Sequence, residues 1–358
     1  MQAACKRGNR VSELVYALTG GEAAVTWGVV MTVCEPQILV QTNVLWHLAT
    51  GADAVHVFFD DPEDPALPVI RDIAGCNVVA CDRAHWHRLN GRKGRPASQM
   101  RRQTLNANAA QEVATTDWLF HIDADEFIWQ DGDMGAELAE MGPGQTELNL
   151  PVLERLFQQD AAQADVFAGA FRASSQLTET EAIAAFGEFA AFMKRGQYSH
   201  GAGKSGVPVR QGLRMGVHNA TVRGTERWKR APKQVSATAR LLHFDGVTPL
   251  HWAMKFLRYR LNPPDVQQVV LQAHRAAQID WMLDQGGTAQ ALVNAHAALF
   301  TLIPDRRKRL KAFGLLREVP FEPRAVLGAS APDFSVAAFD TDLRTRNPWL
   351  QDILNEGA

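Results

Sequence analysis

The chain has 358 residues, 46% hydrophobic and 21% charged, and its 37 Lys and Arg against 39 Asp and Glu leave a net charge of −2. This composition is typical of a soluble globular protein and excludes a small disulfide-stapled module. The charge balance argues against a nucleic-acid partner, because proteins that bind nucleic acids usually carry a strong excess of basic residues. The four cysteines form no C-x-x-C pair, and no segment reaches the roughly 18 apolar residues of a membrane span. The sequence therefore predicts a cytoplasmic protein with reduced thiols, and a peripheral membrane contact stays open.

The first third of the chain alternates short apolar runs with amphipathic stretches. The runs at 25–33, 54–59 and 77–81 contain β-branched residues and few charges, which is typical of strands buried on both faces of a parallel sheet. Between them, Pro36 opens one predicted helix and the range 67–73 forms a shorter one. Because crossovers between parallel strands are right-handed, this β-α-β-α-β order predicts an α/β fold with helices on both faces of the sheet.

An acidic cluster follows the next predicted strand. The basic range 82–97 lacks periodicity and predicts a loop, 98–115 predicts a helix, and 117–122 predicts a fourth buried strand. This strand runs directly into the Asp-Ala-Asp-Glu string at 123–126, so three carboxylates lie at its carboxyl end. In open α/β sheets this edge is where ligands bind.

Two carboxylates at positions i and i+2 of a strand end can present oxygen ligands to one divalent cation. Asp123 and Asp125 have this spacing, and Mg²⁺ or Mn²⁺ bound there would clamp a diphosphate. Such a cation neutralises the charge that develops on a departing nucleoside diphosphate. D-x-D is a common string, and its alternative interpretation is a pair of solvated turn residues. The preceding strand-helix pattern favours the metal site.

These features together resemble a known family. A first strand that ends in Cys-Glu-Pro, a second that ends in Asp-Asp, a helix with Arg and Asn, and the string DWLFHIDADEFIW at 117–129 resemble glycosyltransferases of the A-type fold. Within them the chain is most similar to the bacterial family-2-like group with a D-x-D-E-F signature, over about 25–130 and more loosely over 200–260. The resemblance implies a three-layer α/β/α fold with a mainly parallel sheet. It also implies a hexosyltransferase-like enzyme of polysaccharide biosynthesis that uses a nucleotide-sugar donor, with a UDP-sugar favoured.

The resemblance assigns roles to individual residues. Asp123 and Asp125 match the D-x-D positions, and Asp125 is the preferred direct metal ligand. Glu35 and Asp60, at the ends of the first two strands, match positions that line the nucleotide pocket. A late histidine often supplies a further metal ligand in this fold, and neutral imidazole suits manganese. His243 is the first choice for this role, and the alternative is a strand-end histidine that is hydrogen-bonded locally.

Further substrate contacts follow from the same similarity. His218 is the second choice of histidine, Lys204 could pair with the diphosphate as a point charge, and Arg101 and Asn106 could reach the donor phosphates. Each has a plainer interpretation as an ordinary surface residue. An inverting transfer also needs a base near the acceptor hydroxyl. Glu188, in a partly apolar stretch, is the first candidate, with a solvated helix carboxylate as its alternative interpretation, and Asp245 is the second candidate.

The chain organisation predicted here is a catalytic domain over 20–247 and a helical C-terminal extension over 248–358. Residues 305–317 of this extension are basic with an apolar stripe, which would suit a peripheral contact with anionic lipid, although a plain basic helix face is the alternative. The predicted function is metal-dependent transfer of a sugar to a hydroxyl of a glycan or glycolipid. The alternatives are a nucleotidyltransferase that makes nucleotide-sugars and a non-catalytic module that binds nucleotides or sugars.

Overall fold

A computed structural model describes residues 24–142, 144–158, 165–224, 229–261, 272–286 and 289–350 of the chain. The predicted domain start at residue 20 lies outside these residues. Three parallel strands alternate with two helices as expected from the sequence: Trp27–Val33 (β1), Gln37–Ala49 (α1), Ala54–Phe59 (β2), Leu67–Arg71 (α2) and Cys76–Ala80 (β3).

The basic range after β3 was wrongly predicted to be a loop throughout. It contains the helix Arg83–Asn90 (α3), and the Asp82 carboxylate caps its first turn by accepting a hydrogen bond of 2.7 Å from the His85 N–H. The helix buries His85 and Trp86 and exposes most of its basic residues. With so few apolar positions in eight residues, the sequence has no visible period, although an Asp N-cap is a standard helix signal.

The rest of the first 247 residues completes this sheet and begins a second one. The elements are Gln99–Val113 (α4), Trp118–His121 (β4), Glu126–Gln130 (β5), Met134–Met141 (α5), Glu147–Leu150 (β6), Val152–Gln158 (β7), Ala170–Ala173 (β8), Glu179–Phe186 (α6), Lys204–Pro208 (β9), Leu213–Met215 (β10), Ala220–Val222 (β11), Lys233–Val235 (β12) and Ala239–His243 (β13). Helix α4 and strand β4 confirm the predictions for 98–115 and 117–122.

The main sheet is mainly parallel. Its seven described strands follow the order β12-β6-β9-β4-β1-β2-β3, and β10 pairs with β11 in a separate hairpin. Strand β9 runs antiparallel to both β4 and β6, whereas the other neighbours in this sheet run parallel. The amino terminus of β9 therefore lies at the same edge as the carboxyl ends of β1, β2, β4 and β6.

Side-chain alternation along β1 shows the three layers. Val29 and Met31 point to one face, where they share a core with Val44 of α1. Val30 points to the opposite face, where it packs with Ala107 of α4 and with α3. Residues of β2 and β4 alternate in the same way between the two cores. The predicted α/β/α arrangement with a mainly parallel sheet is thus confirmed.

The C-terminal part is mostly helical, as predicted, but it also adds strands. Its elements are Pro249–Leu261 (α7), Ala273–Asp284 (α8), Ala289–Phe300 (α9), Thr301–Leu302 (β14), Pro304–Ala312 (α10), Leu316–Arg317 (β15), Pro323–Leu327 (α11) and Val336–Arg346 (α12). The second sheet has the order β15-β8-β7-β13-β5, with β14 also paired to β7. Among the described helices, none is long and apolar enough to cross a membrane.

An aromatic core joins the C-terminal part to the rest of the chain. Phe127 of β5 makes edge-on ring contacts with Phe244 and Phe321, and the latter two rings are tilted against each other, with all three centroids 5.0–5.4 Å apart. Trp46 of α1 makes a tilted contact with Phe321 at 4.5 Å. Because one core contains residues from both sides of the 247/248 boundary, the helices of the extension pack directly against α1 and the second sheet. The boundary itself stays a prediction.

Candidate functional site

The acidic string after β4 lies at the carboxyl edge of the main sheet, beside the amino terminus of β9. Asp123 is the more solvent-accessible of its two aspartates, and Lys204 at the start of β9 donates a hydrogen bond of 2.7 Å from Nζ to Asp123 Oδ2. Gln103 of α4 donates to Asp123 Oδ1 at 2.5 Å. Both carboxylate oxygens of Asp123 therefore have partners within the protein.

Lys204 is enclosed by this cluster instead of facing solvent. Its side chain is fully buried, and Nζ is also 3.4 Å from Glu126 Oε2. Burial alone would lower the pKa of Lys204, but the carboxylates of Asp123 and Glu126 outweigh it and raise that pKa above its usual value. Lys204 is therefore a permanent positive charge that holds two acidic side chains together.

Asp125 is buried and faces a different cation. Lys255 of α7 donates a hydrogen bond to Asp125 Oδ2, and His243 Nε2 lies 3.5 Å from the same oxygen. Burial would raise the pKa of Asp125, but Lys255 and His243 hold it well below its usual range. In return, although burial lowers the pKa of His243, the neighbouring Asp125 raises it to about 9. Both residues were predicted to be metal ligands; the structure places them side by side, and the metal role stays a prediction.

Three side chains at this edge have ligand atoms close enough to hold one metal ion. They are Glu126, His200 and His243, whose ligand atoms all lie within 4.8 Å of one another. His200 Nε2 is 3.0 Å from Glu126 Oε1, and its buried Nδ1 has no hydrogen-bond partner among the residues that the structure describes. One carboxylate with two imidazoles fits Mn²⁺ better than Mg²⁺, which prefers oxygen ligands.

Only part of this set was predicted from the sequence. His243 was expected as a metal ligand, whereas Glu126 and His200 were not. Glu126 was visible as the third acid of the D-x-D-E-F string, but His200 has no spacing that links it to residue 126 or 243. Asp123 and Asp125 border the three ligands and are bound by Lys204 and Lys255. Their role as metal ligands stays a prediction.

His218 lies next to the cluster and is hydrogen-bonded to the backbone before β9. Its ring centroid is 4.5 Å from that of His200, and its Nδ1 is 3.0 Å from the carbonyl oxygen of Gly203. Burial and the charge of Lys204 lower the pKa of His218 to about 4. The ring is therefore neutral at physiological pH.

Helix α7 presents a cationic face to the strand ends. His251 Nε2 donates a hydrogen bond of 2.9 Å to Glu35 Oε2, because its Nδ1 already accepts one from the Val247 N–H. Arg258 lies 3.9 Å from the other Glu35 oxygen. With Lys255 between them, these side chains share one helix face at positions i, i+4 and i+7. Glu35 was predicted for the nucleotide pocket, but its partners on α7 were not predicted.

A cavity of about 580 Å³ opens at the ends of β2 and β3. Its walls include Asp60, Asp82, Trp86 and Arg95. Asp60 forms ion pairs with Arg95 at 2.6 Å and with Arg102 at 2.9 Å. The indole N–H of Trp86 is buried and has no partner within the described part of the chain. Acceptor carboxylates and a donor guanidinium thus line the cavity, and Asp60, which was predicted to line the nucleotide pocket, is one of its walls.

The other three predicted residues make contacts elsewhere. Arg101 is exposed and donates to the Asn90 side chain at 3.1 Å. Asn106 is fully buried, where it donates to Thr32 Oγ1 at 3.0 Å and thereby ties α4 to β1. Glu188 is exposed on a short 3-10 helix over 187–192. None of these described contacts is with the cluster around Glu126, so their proposed roles stay predictions.

Among known proteins, the chain is similar only to solved structures. No family model matches the chain, and no curated protein matches it. It is similar to the crystal structure of GalNAc-T7 with UDP, GalNAc and Mn²⁺, at 10% identity and a TM-score of 0.35 over 91% of this chain and 59% of that one. It is also similar to the crystal structure of S. aureus TarS 1–349, at 12% identity and a TM-score of 0.31 over 93% and 89%. The chain thus spans 59% of the length of the GalNAc-T7 chain, and both likenesses concern the fold alone.

Proposed function

We propose that this chain is a metal-dependent glycosyltransferase that moves a sugar from a nucleotide-sugar donor to an acceptor hydroxyl. The observation that carries the proposal is the position of the Glu126, His200 and His243 ligand set. It lies at the carboxyl edge of a mainly parallel sheet, the edge at which open α/β sheets bind ligands. The cavity at the ends of β2 and β3 lies along the same edge.

The nucleoside of the donor would occupy this cavity. The carboxylates of Asp60 and Asp82 can accept hydrogen bonds from N–H groups of a base, and the partly exposed guanidinium of Arg95 can donate one to a carbonyl oxygen. Uracil offers both kinds of group on one edge. A UDP-sugar is therefore the donor that we favour.

The donor diphosphate would lie between the cavity and helix α7. Glu126, His200 and His243 would hold the divalent cation, Mn²⁺ by the chemistry of its ligands, and that ion supplies positive charge for the departing diphosphate. Lys255 and Arg258 bring two further positive charges to this edge. Lys204 acts indirectly, because it fixes the positions of Asp123 and Glu126.

Transfer forms a bond between the acceptor oxygen and the anomeric carbon and breaks the bond from that carbon to the diphosphate. In an inverting reaction a carboxylate takes the proton of the acceptor hydroxyl. Glu188 is the candidate base from the sequence, and its exposed position leaves it accessible to a glycan or glycolipid acceptor. Asp245 is a poorer candidate, because despite its burial the ion pairs with Arg275 and Lys255 keep its pKa low.

Thermal-shift measurements with UDP, GDP, CMP and nucleoside triphosphates, each with and without Mn²⁺, test the proposal. We expect UDP to raise the melting temperature only when Mn²⁺ is present. A preference for nucleoside triphosphates would favour a nucleotidyltransferase. No stabilisation by any nucleotide would contradict both functions.

Turnover is tested with a panel of UDP-sugars by measuring the release of UDP. We expect Mn²⁺-dependent release from at least one donor and none from the His200→Ala variant. Binding of UDP without release from any donor, with or without glycan acceptors, would instead favour a binding module.

A further inference from the structure

We propose that Glu154 and Ser199 are positioning residues that orient His243, and with it His200, toward the metal ion. This inference rests on the proposed function, because it takes Glu126, His200 and His243 as the metal ligands. Neither Glu154 nor Ser199 needs to touch the donor or the metal. Both act through the histidines.

Glu154 is a completely buried carboxylate whose two oxygens have several donors. Oε1 accepts hydrogen bonds from Ser199 N at 2.8 Å and from Ser199 Oγ at 2.7 Å. Oε2 accepts one from Tyr198 N at 3.1 Å and forms an ion pair with Arg172. All of these partners are hydrogen-bond donors, and one of them is the guanidinium of Arg172. Glu154 is therefore a carboxylate that only accepts hydrogen bonds.

The ionised carboxylate sets the direction of the next hydrogen bond. Ser199 has one hydroxyl proton, and Glu154 takes it. The same hydroxyl oxygen lies 2.9 Å from His243 Nδ1. Since this oxygen has no proton left to donate, it must accept the Nδ1–H of His243. The Nε2 atom then faces Asp125, which borders the ligand set, and is left free of the serine to bind the metal ion.

This arrangement is what a metal-binding histidine requires. Such a histidine usually donates its second ring N–H to a carboxylate, a carbonyl or water, which fixes its tautomer and orientation. Here the carboxylate reaches the imidazole through a serine hydroxyl. Strand pairing brings the carboxylate and the imidazole close together, because His243 of β13 lies opposite Glu154 of β7 in a parallel register.

The same carboxylate also fixes the second histidine. Glu154 binds the backbone N–H groups of Tyr198 and Ser199, the two residues before His200 in the chain. It thereby holds the short segment that presents the His200 ring to Glu126. One buried carboxylate thus orients two metal ligands that lie 43 positions apart in the sequence.

The test compares Mn²⁺ binding by the wild-type chain and by Ser199→Ala, measured by calorimetry and by the Mn²⁺ electron paramagnetic resonance spectrum. Loss of a group that orients a metal ligand weakens metal affinity about 10- to 100-fold, and we expect this for Ser199→Ala. Ser199→Thr retains the hydroxyl and should restore most of the affinity. Equal affinity of the wild type and Ser199→Ala would overturn the positioning role.

Ser236 provides a matched control. It is also buried, its Oγ donates to Glu137 at 2.7 Å, and it accepts a hydrogen bond from the Ala239 N–H. Ser236→Ala removes a serine–glutamate pair of the same kind from another part of the chain. It should lower the melting temperature as Ser199→Ala does, while Mn²⁺ affinity stays unchanged. A parallel loss of affinity in both variants would mean a merely structural effect and would overturn the inference.

A measurement on the wild-type chain avoids any folding defect of the variants. In the Zn²⁺-loaded protein, ¹⁵N NMR of the histidine rings should show His243 protonated at Nδ1 and bound to metal through Nε2. Metal binding through Nδ1 would overturn the inference. If the wild type binds neither Mn²⁺ nor Zn²⁺, the metal centre of the proposed function fails as well. Mn²⁺ affinity that is equal in the wild type and in Ser199→Ala would overturn only the positioning role and would leave the metal centre standing.

Discussion

The two aspartates of the D-x-D string differ in their cationic partners. Asp123 pairs with Lys204, a fully buried residue of strand β9 within the main sheet. Asp125 pairs with Lys255, a partly exposed residue of helix α7 in the C-terminal part. Lys204 is enclosed between Asp123 and Glu126, whereas Lys255 lies on a solvent-accessible helix face and can exchange one anion for another. From this contrast we expect Asp123 to maintain the structure and Asp125 to serve the proposed reaction.

The largest expected effect concerns Lys204. Lys204→Met should lower the free energy of unfolding by about 3–5 kcal/mol, because it leaves buried carboxylates without their cation. Lys255→Met should lower the free energy of unfolding by only about 1–2 kcal/mol, because the Asp125 carboxylate still has His243 as a partner. Urea unfolding of both variants gives the comparison. Equal losses would contradict the assignment of different roles to the two lysines.

A smaller stability effect but a large kinetic one is expected at Asp125. Asp125→Asn keeps the size of the side chain and should lower kcat about 100-fold, as does removal of an electrostatic group in other active sites. Its melting temperature should stay close to that of the wild type. Release of UDP from a donor sugar gives kcat. Wild-type turnover in this variant would contradict a role for Asp125 in the reaction.

The docking of helix α7 at the strand ends gives the next prediction. His251 is fully buried and donates to Glu35, so His251→Ala should cost about 2 kcal/mol of unfolding free energy through the loss of a hydrogen bond to a charged group. Because α7 also presents Lys255, affinity for UDP should fall in the same variant. Unchanged stability and affinity would show that α7 is not held by this contact. Calorimetry supplies both values.

The smallest effect is expected at the far end of the same edge, where two arginines share Asp60. The side chain of Arg95 is 50% exposed and that of Arg102 is 11% exposed. Arg95→Ala should therefore change the free energy of unfolding by less than about 1 kcal/mol, as is usual for surface ion pairs. Arg102→Ala should lower the free energy of unfolding by more than Arg95→Ala does, and urea unfolding of both variants measures the difference. The reverse order would contradict the view that burial decides which ion pairs maintain the fold.

The main sheet could be predicted from the sequence because its strands are buried on both faces. Such strands appear as short apolar runs with an acidic residue one or two positions after their end, as β1, β2 and β4 do. Helix α3 was missed because its polar and basic composition hides its few buried positions. Within the predicted helical extension, Val336–Arg346 forms α12, which begins at the N-cap Ser335.

The second sheet could not be predicted from local sequence patterns. Strand β13 pairs with β5 and β7, and these pairings join residues that lie about a hundred positions apart. Alternation within one strand indicates that it has two different faces, but it does not identify the neighbouring strand. The same limit explains why the packing of the C-terminal part against α1 was not foreseen.

In the candidate site, too, some residues could be identified from local sequence patterns and others could not. Asp123 and Asp125 were identified because they follow a strand directly, and the resemblance supplied Lys204 and His243. His200, Ser199 and Glu154 carry no local signal, because their roles arise from contacts between β7, β13 and the segment before β9. Lys255 belonged to a recognisable helix, but its partner lies 130 positions earlier in the chain.

Calorimetric titration of the wild-type chain with UDP, in the presence and absence of Mn²⁺, tests the central claim most directly. The claim is that Glu126, His200 and His243 form a metal centre at the edge of the nucleotide cavity. It predicts that Mn²⁺ strengthens UDP binding at least about tenfold, since the ion would bridge the protein and the diphosphate. It also predicts that His200→Ala abolishes this gain. UDP binding of equal strength with and without Mn²⁺ would contradict the claim.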